Sequence, residues 1–373
     1  MTYIEASQAR ANSLGLRPPG WSATLSDVRA VPDDIETSAL IGALADGWGF
    51  EVEAAEYAAV GAGSYHWVVN DLDGTCGFVT VDDLDQKAWL GDTRDSACEG
   101  LMRAFETAAA LRETGLEFVV APIPTSRGET LRRIGPRHTV ALFPFVDGQA
   151  GRYGHYDAAA RAAVVSMLAE LHLATPAVGS VAQSVGLDLP GRRHLEAGLE
   201  QLNQTWSGGP FSEPARQAFA SHASDVAAFL SLADRLAADV EKRGSTWVVT
   251  HGEPHSANVM QAGNSHVLVD WDTVALAPRE RDLWMLVEDG TDDLASYTNS
   301  TGHQIDHDAV NFFRLTWDLK DLAEYLNVLR SPHPESEDML SAYEGLTNCV
   351  PSREQWSGLL GRRSAFETVG EDS

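Results

Sequence analysis

T-H-G-E-P-H-S-A-N-V-M-Q-A-G-N-S-H-V-L-V-D-W-D, residues 250–272, carries the densest chemistry in the chain. It follows the strand-like run W-V-V-T at 247–250, so His251 to Asn258 reads as a loop leaving a sheet edge. Val259–Gln261 and His266–Asp270 then flank A-G-N-S as the arms of a hairpin. Glu253 and Asn258 lie five residues apart, and Asp270 follows twelve residues later, so the hairpin returns Asp270 beside Asn258. Phosphoryl transfer needs such a set: one carboxylate to accept the proton of the attacking hydroxyl, with an amide oxygen and a second carboxylate to hold Mg²⁺ against phosphates. The same letters admit two other readings. H-x-E-x-H on an extended strand sets His251, Glu253 and His255 on one face, where with Asp270 they suit Zn²⁺ or Mn²⁺ and a metal-dependent hydrolase. Alternatively, the stretch is a structural loop of hydrogen-bonded polar groups.

H-G-E-P-H-S-A-N followed by D-W-D resembles the aminoglycoside phosphotransferase family, small-molecule kinases with a protein-kinase-like fold. Their catalytic loop reads H-G-D-x-x-x-x-N and precedes a D-x-D/E segment. The resemblance implies Glu253 as the catalytic base and His251 as the residue orienting the loop. It also implies Asn258 and Asp270 as Mg²⁺ ligands, with Asp272 as a further metal or supporting acid. The following A-P-R-E-R-D-L is similar to the family as well, with Asp282 as an acceptor tying the loop down. One letter departs: the family's base is usually Asp. Glu253 is one methylene longer, which moves its carboxylate by roughly 1.5 Å.

Upstream, a short helix over 37–47 precedes strands at Glu56–Ala59, Tyr65–Asn70 and Gly77–Val81, which form a meander. A helix with Leu101, Ala104, Phe105, Ala108 and Leu111 on one face follows, then strands at Phe118–Ala121 and Val140–Val146. Beyond Gly148 the pattern is helical at 157–173, 191–205, 212–242, 279–287, 307–330 and 337–346. The pattern is α+β, and the resemblance implies a two-lobed kinase-like architecture with a β-rich N-terminal lobe and a mostly helical C-terminal lobe. The expected division is an extension at 1–36, a nucleotide-binding lobe at 37–148, a helical lobe at 149–350 and a polar, loosely held tail at 351–373.

The resemblance puts the nucleoside triphosphate, ATP or GTP, in the first lobe. Gly61, Gly63 and Ser64 sit in a turn whose N–H groups and hydroxyl suit phosphate oxygens. V-A-L-F-P-F-V-D-G at 140–148 is similar to the lobe-connecting hinge, where the base pairs with backbone groups at Pro144 and Val146. The family's phosphate-anchoring lysine lies on the third strand, where G-F-V-T-V-D-D presents Thr80. The chain has only Lys87, Lys242 and Lys320. Lys87 is thus the expected replacement, reaching back from the next turn, with Arg103 as the other option. Glu99 is the expected helix carboxylate partner, with Glu106 competing. Thr80 and Glu253 together also motivate a weak or inactive nucleotide-binding pseudo-kinase.

R-L-T-W-D-L-K-D-L-A-E-Y at 314–325 places Trp317, Asp318, Asp321 and Tyr325 on one helical stripe, which Trp284 joins. Carboxylates and rings suit a small, cationic, sugar-like hydroxyl acceptor. Lys plus Arg is 27 against 54 Asp plus Glu, a net charge of −27 that repels a phosphodiester backbone and argues against nucleic-acid binding. No apolar run approaches the length of a membrane span, and Cys76, Cys98 and Cys349 form neither a C-x-x-C nor an even framework. The expectation is a cytoplasmic protein without a membrane partner.

Overall fold

The computed structural model describes residues 32, 34–60, 63–154, 156–244, 246–287 and 294–361. The chain enters through α1 (Thr37–Trp48) and continues into β1 (Val52–Ala58), β2 (Ser64–Asp71) and β3 (Cys76–Asp83). After a 3₁₀ turn come α2 (Arg94–Glu113), β4 (Arg132–Ile134) and β5 (His138–Pro144). The five strands form one antiparallel sheet in the order β1-β2-β3-β5-β4. Period-two alternation explains its two buried faces. Val79, Val81, Val140 and Leu142 pack with Leu40 and Leu44 of α1, whereas Ala141 and Phe143 pack with Leu101 and Phe105 of α2.

Helix α2 starts at a reciprocal cap: the Thr93 hydroxyl accepts from the Ser96 N–H, and the Ser96 hydroxyl accepts from the Thr93 N–H. Farther along, Ala104, Ala108 and Leu111 enter a second core with Val164, Leu168, Leu268 and Trp271. One helix therefore contributes to the cores of both lobes and sets their separation. The expected strand at Phe118–Ala121 is instead an extended segment with a single parallel bridge, Val119 to Leu268. Its backbone bonds go to the hairpin of the other lobe: Leu268 N–H donates to Phe118 O at 2.8 Å and Val120 N–H to Leu268 O at 3.1 Å. A segment satisfied by one neighbouring residue has no ladder to join.

The helical lobe comprises β6 (Gln149–Ala150), α3 (Ala158–Leu173), α4 (Thr175–Val178), α5 (Arg192–Glu200), α6 (Ser212–Ser221) and α7 (Ala223–Arg243), followed by β7 (Trp247–Thr250), β8 (Val259–Ala262), β9 (Ser265–Leu268) and β10 (Ala275–Pro278). The chain then runs through α8 (Glu280–Leu283), α9 (Ala295–Thr301), α10 (His307–Arg330), α11 (Glu337–Asn348) and α12 (Ser357–Leu360). The helix expected over 212–242 is two helices, parted where His222 leaves helical backbone at φ −113° and ψ 5°. Helix α10 spans the expected 307–330 and anchors a core of Leu319, Leu322, Leu326, Phe219 and Phe229. Part of the expected tail joins this core: Trp356 is buried and Leu359 and Leu360 pack on it. Ile35, expected in the extension, packs with the α1 face of the sheet. Among the described residues, no helix is long and apolar enough to cross a membrane.

Phe105 is buried and meets Phe143 edge-on, with ring centroids 5.4 Å apart, where helix and sheet close on each other. Phe105→Ala is expected to lower unfolding free energy by about 3–5 kcal/mol in urea denaturation, as for other large buried aromatics.

Candidate active site

The catalytic-loop stretch leaves β7 where Thr250 pairs with Ala275 of β10. Asp282 fastens it. One carboxylate oxygen accepts from His251 N–H at 2.8 Å and the other from Gly252 N–H at 2.6 Å. His172 Nε2 lies 3.0 Å from the same carboxylate, and Tyr297 holds the other ring nitrogen of His172 at 2.7 Å. Burial acts to raise the Asp282 carboxyl, but His172, His251 and Arg281 hold it below its usual value. Gly252 has φ +99°, and a Cβ there would lie 2.4 Å from Arg281 Nη2. Arg281 is locked by bonds to Thr250 Oγ1 at 2.8 Å and Thr273 O at 2.9 Å, so the Gly in H-G-E answers both a left-handed backbone and a crowded one.

His251 is fully buried against the edge of Trp271, and burial lowers its pKa. Its Nδ1 accepts from Glu253 N–H at 3.3 Å, which leaves Nε2–H to donate to Val269 O at 2.9 Å. That bond links the loop to the residue preceding Asp270. The Tyr156 hydroxyl donates to Pro254 O and the Ser256 hydroxyl to Arg152 O, tying the loop to the segment after β6.

Asn258 and Asp270 are brought together by the β8–β9 hairpin. Val259 pairs with Leu268, and Val269 N–H donates to Asn258 O at 3.0 Å. The Asn258 amide nitrogen donates to Glu253 O at 2.9 Å, a bond that does not use the amide oxygen a cation would take. Asp270 adopts φ +67° and is the only non-glycine residue with positive φ among the described residues. Backbone held in that region costs of order 1–3 kcal/mol and is typical of functional sites. Desolvation by the cleft walls and the nearby Asp272 push the Asp270 carboxyl well above the usual range, against Lys87.

Lys87 is the cation that the sequence left open. It is 2% exposed, with Nζ 2.6 Å from Asp272, 2.9 Å from Asp82 and 3.1 Å from the Ser64 hydroxyl. Ser64 in turn donates to Asp82 at 2.7 Å. Burial works to lower the Lys87 pKa, but Asp272, Asp82 and Asp270 reverse this and hold the ammonium charged. The carboxylate beside Lys87 is thus Asp82, at the end of β3, and not Glu99. Glu99, Glu106 and Arg103 are all exposed on α2. Sequence reasoning passed over Asp82, which lies near the end of β3, five residues before the chain's first lysine. Thr80 lies mid-strand opposite His66 and Ala141, its hydroxyl 3.3 Å from His66 Nδ1.

Gly63 has φ +82°, a conformation suited to glycine, and Ser64 opens β2; Gly61 lies outside the described residues. Pro144 ends β5 opposite Gly77 and is exposed, and Val146 is half-buried two residues on. Glu253 is half-buried and paired with Lys320 of α10, Nζ to Oε1 3.1 Å. Burial acts to raise its carboxyl, but Lys320, then His255 and Arg281, hold it at about 2. Trp317 and Trp284 touch, with centroids 5.5 Å apart, and Asp318 is half-buried near Asp321. Asp321 is buried. Tyr325 departs from the expected stripe: it is 1% exposed within the helical core, packed so closely that a Cβ on Gly345 would lie 2.3 Å from its ring. A helix this deeply packed buries the far end of a stripe that is open at Trp317. The hydrolase arrangement does not form, since both ring nitrogens of His251 are engaged. Among the described residues, no three His, Cys, Asp or Glu side chains are grouped to hold a metal.

The two-lobed kinase-like fold, with charged groups gathered where the lobes meet, is that of the small-molecule phosphotransferases. The sequence profile of the phosphotransferase enzyme family, APH, matches residues 78–338, and the chain belongs to that family. Protein StrN of Streptomyces griseus is 25% identical over 254 residues, 66% of this chain and 76% of that protein. Spectinomycin phosphotransferase APH(9)-Ia, in complex with ADP and spectinomycin, matches with a TM-score of 0.64 at 17% identity, over 85% of this chain and 97% of the other. Amicoumacin kinase hAmiN, in complex with AMP-PNP, Ca²⁺ and Ami, matches with a TM-score of 0.53 at 11% identity, over 84% and 93%.

Asp282→Ala removes a buried acceptor shared by two N–H groups and His172. It is expected to cost about 2–4 kcal/mol in chemical denaturation and to loosen the loop that carries Glu253.

Proposed function

We propose that the chain transfers the γ-phosphate of ATP or GTP to a hydroxyl of a small, cationic, sugar-like molecule such as an aminoglycoside-like antibiotic. The observation that carries this reading is the approach of Lys87, Asp82, Asp270, Asp272 and Glu253 to one another at the seam of the lobes. The crowding of Asp270 and Asp272 beside the Lys87 ammonium is the electrostatic signature of a place for a further cation. The oxygen-only donor set of Asn258, Asp270 and Asp272 fits Mg²⁺, which takes few protein ligands and completes its shell with water and phosphate. When bound, Mg²⁺ would neutralise charge between the β- and γ-phosphates.

In this reading Lys87 exchanges Asp272 for phosphate oxygens while Asp82 keeps its ammonium aimed into the cleft. Gly63 and Ser64 line the phosphates, and the backbone at Pro144 and Val146 meets the base. A carboxylate held at about 2 is a poor proton acceptor, so Glu253 acts mainly by accepting a hydrogen bond that aligns the attacking hydroxyl. The loose transition state of phosphoryl transfer requires little more. His251 acts through the loop it braces. Trp284 and Trp317 offer rings to the acceptor, and Asp318 and Asp321 offer charge. The complexes of the spectinomycin and amicoumacin enzymes, with nucleotide and small-molecule ligands in their names, support the same substrate classes here. The pseudo-kinase alternative loses its main motive, because a buried lysine reaches the cleft from Lys87 despite Thr80.

A panel of acceptors incubated with ATP or GTP and read by product mass tests the proposal. Transfer to no acceptor, alongside nucleotide-dependent thermal stabilisation, would return the pseudo-kinase reading. Asp270→Ala is expected to remove turnover and Mg²⁺-dependent nucleotide binding, whereas Glu253→Gln lowers kcat roughly 10²-fold and spares nucleotide binding. Burial and Asp321 push the Asp318 carboxyl up to about 7, against Arg314. The site therefore gains negative charge as pH rises through that value. A cationic acceptor should bind more tightly on the alkaline side by calorimetry, and Asp318→Asn should flatten the dependence.

A further inference from the structure

Lys320 has no part in the roles assigned so far, yet it sits against Glu253 and between two tryptophan rings. Its Nζ donates to Glu253 Oε1 at 3.1 Å and lies 5.3 Å from the centroid of the Trp317 ring, one turn back on α10. It also lies 5.6 Å from the ring of Trp89, which comes from the other lobe, two residues after Lys87. Lys87 Nζ lies 5.2 Å from that same ring, so the two ammonium groups are no more than about 11 Å apart around one indole. The side chains of Lys320 and Glu253 are each 23% exposed.

An exposed lysine pair contributes little, because four rotatable bonds must be frozen for one contact in high dielectric. Here the rings of Trp89 and Trp317 flank the ammonium itself, so fewer positions are open to it when the contact to Glu253 forms. The pair also answers the one departure from the family's loop. A Glu in place of Asp adds a methylene and a rotor to the group that must meet the acceptor hydroxyl, and an unrestrained carboxylate would spread over several rotamers.

We propose, resting on the phosphotransferase reading, that Lys320 is the positioning residue of this site. It clamps the longer Glu253 side chain in a single orientation, with Trp317 and Trp89 holding its ammonium in place from the two lobes. Lys320 acts through Glu253 and not on the nucleotide.

The test is a set of variants, Lys320→Met, Lys320→Arg, Glu253→Asp and the Glu253→Asp/Lys320→Met pair, assayed with the acceptor found by the panel. Lys320→Met is expected to lower kcat about 10–100-fold while nucleotide KM and the ADP-dependent thermal shift change less than about twofold. Lys320→Arg should restore most of the loss. Glu253→Asp withdraws the carboxylate from Lys320, so adding Lys320→Met to it should cost less than about threefold more. Weakened nucleotide binding in Lys320→Met, or full multiplicative losses in the pair, would overturn the assignment in favour of a phosphate-binding cation. An unchanged kcat would overturn it outright.

A second double-mutant cycle, Lys320→Met with Glu253→Gln read by unfolding midpoint, needs no acceptor. Non-additive midpoints support the clamp and additive ones overturn it. Absence of turnover in the wild type together with a non-additive cycle would count against the phosphotransfer reading and leave the clamp standing.

Discussion

The buried ammonium of Lys87 is the constraint around which the cleft is organised. It leaves water almost completely, and the carboxylates of Asp82 and Asp272, with the Ser64 hydroxyl and the nearby Asp270, make that tolerable. Asp82 and Ser64 belong to the sheet of the first lobe and Asp272 to the catalytic segment of the second, so satisfying one charge requires both lobes at a set distance. A buried ion pair of this kind is a weak source of net stability and a strong source of geometry, since removing one partner strands the other. The apolar counterpart is α2, which places Phe105 in one core and Leu111 in the other.

The loop that carries Glu253 is held by a second polar relay. Tyr297, His172 and Asp282 form a chain whose far end accepts the N–H groups of His251 and Gly252. His251 then passes the restraint to Val269, the neighbour of Asp270. Loop and hairpin are therefore one unit, although 17 residues separate Glu253 from Asp270 along the chain. The positive φ of Asp270 survives because the hairpin and the Trp271 side chain, buried with its Nε1 donating to Leu268 O at 2.9 Å, over-determine the backbone on either side.

The two departures from the family's letters meet compensations of different kinds. In the proposed reading the lysine missing from the third strand is replaced by Lys87, from the turn that follows it. The longer Glu253 meets a lysine from α10 flanked by two tryptophans.

Local pattern was enough for much of this. The strand-loop-hairpin of 247–272 and the long helix 307–330 could be written from periodicity, turn residues and polar spacing, because each depends on neighbours close along the chain. The proximity of Asn258 to Asp270 was legible for the same reason, being the geometry of one hairpin. What the letters could not disclose were pairings between distant segments. Asp82 and Glu99 were equivalent carboxylates until the fold turned one inward and the other to water. Tyr325 and Trp317 shared a stripe until packing against Gly345 buried one of them. Lys87 was the expected cation but its pairing with Asp82 and Asp272 was not, and Lys320 carried no signal. Burial and ion pairing over 67 or 185 residues of sequence separation are properties of the tertiary arrangement, since no local rule specifies which opposite charge a lysine will find.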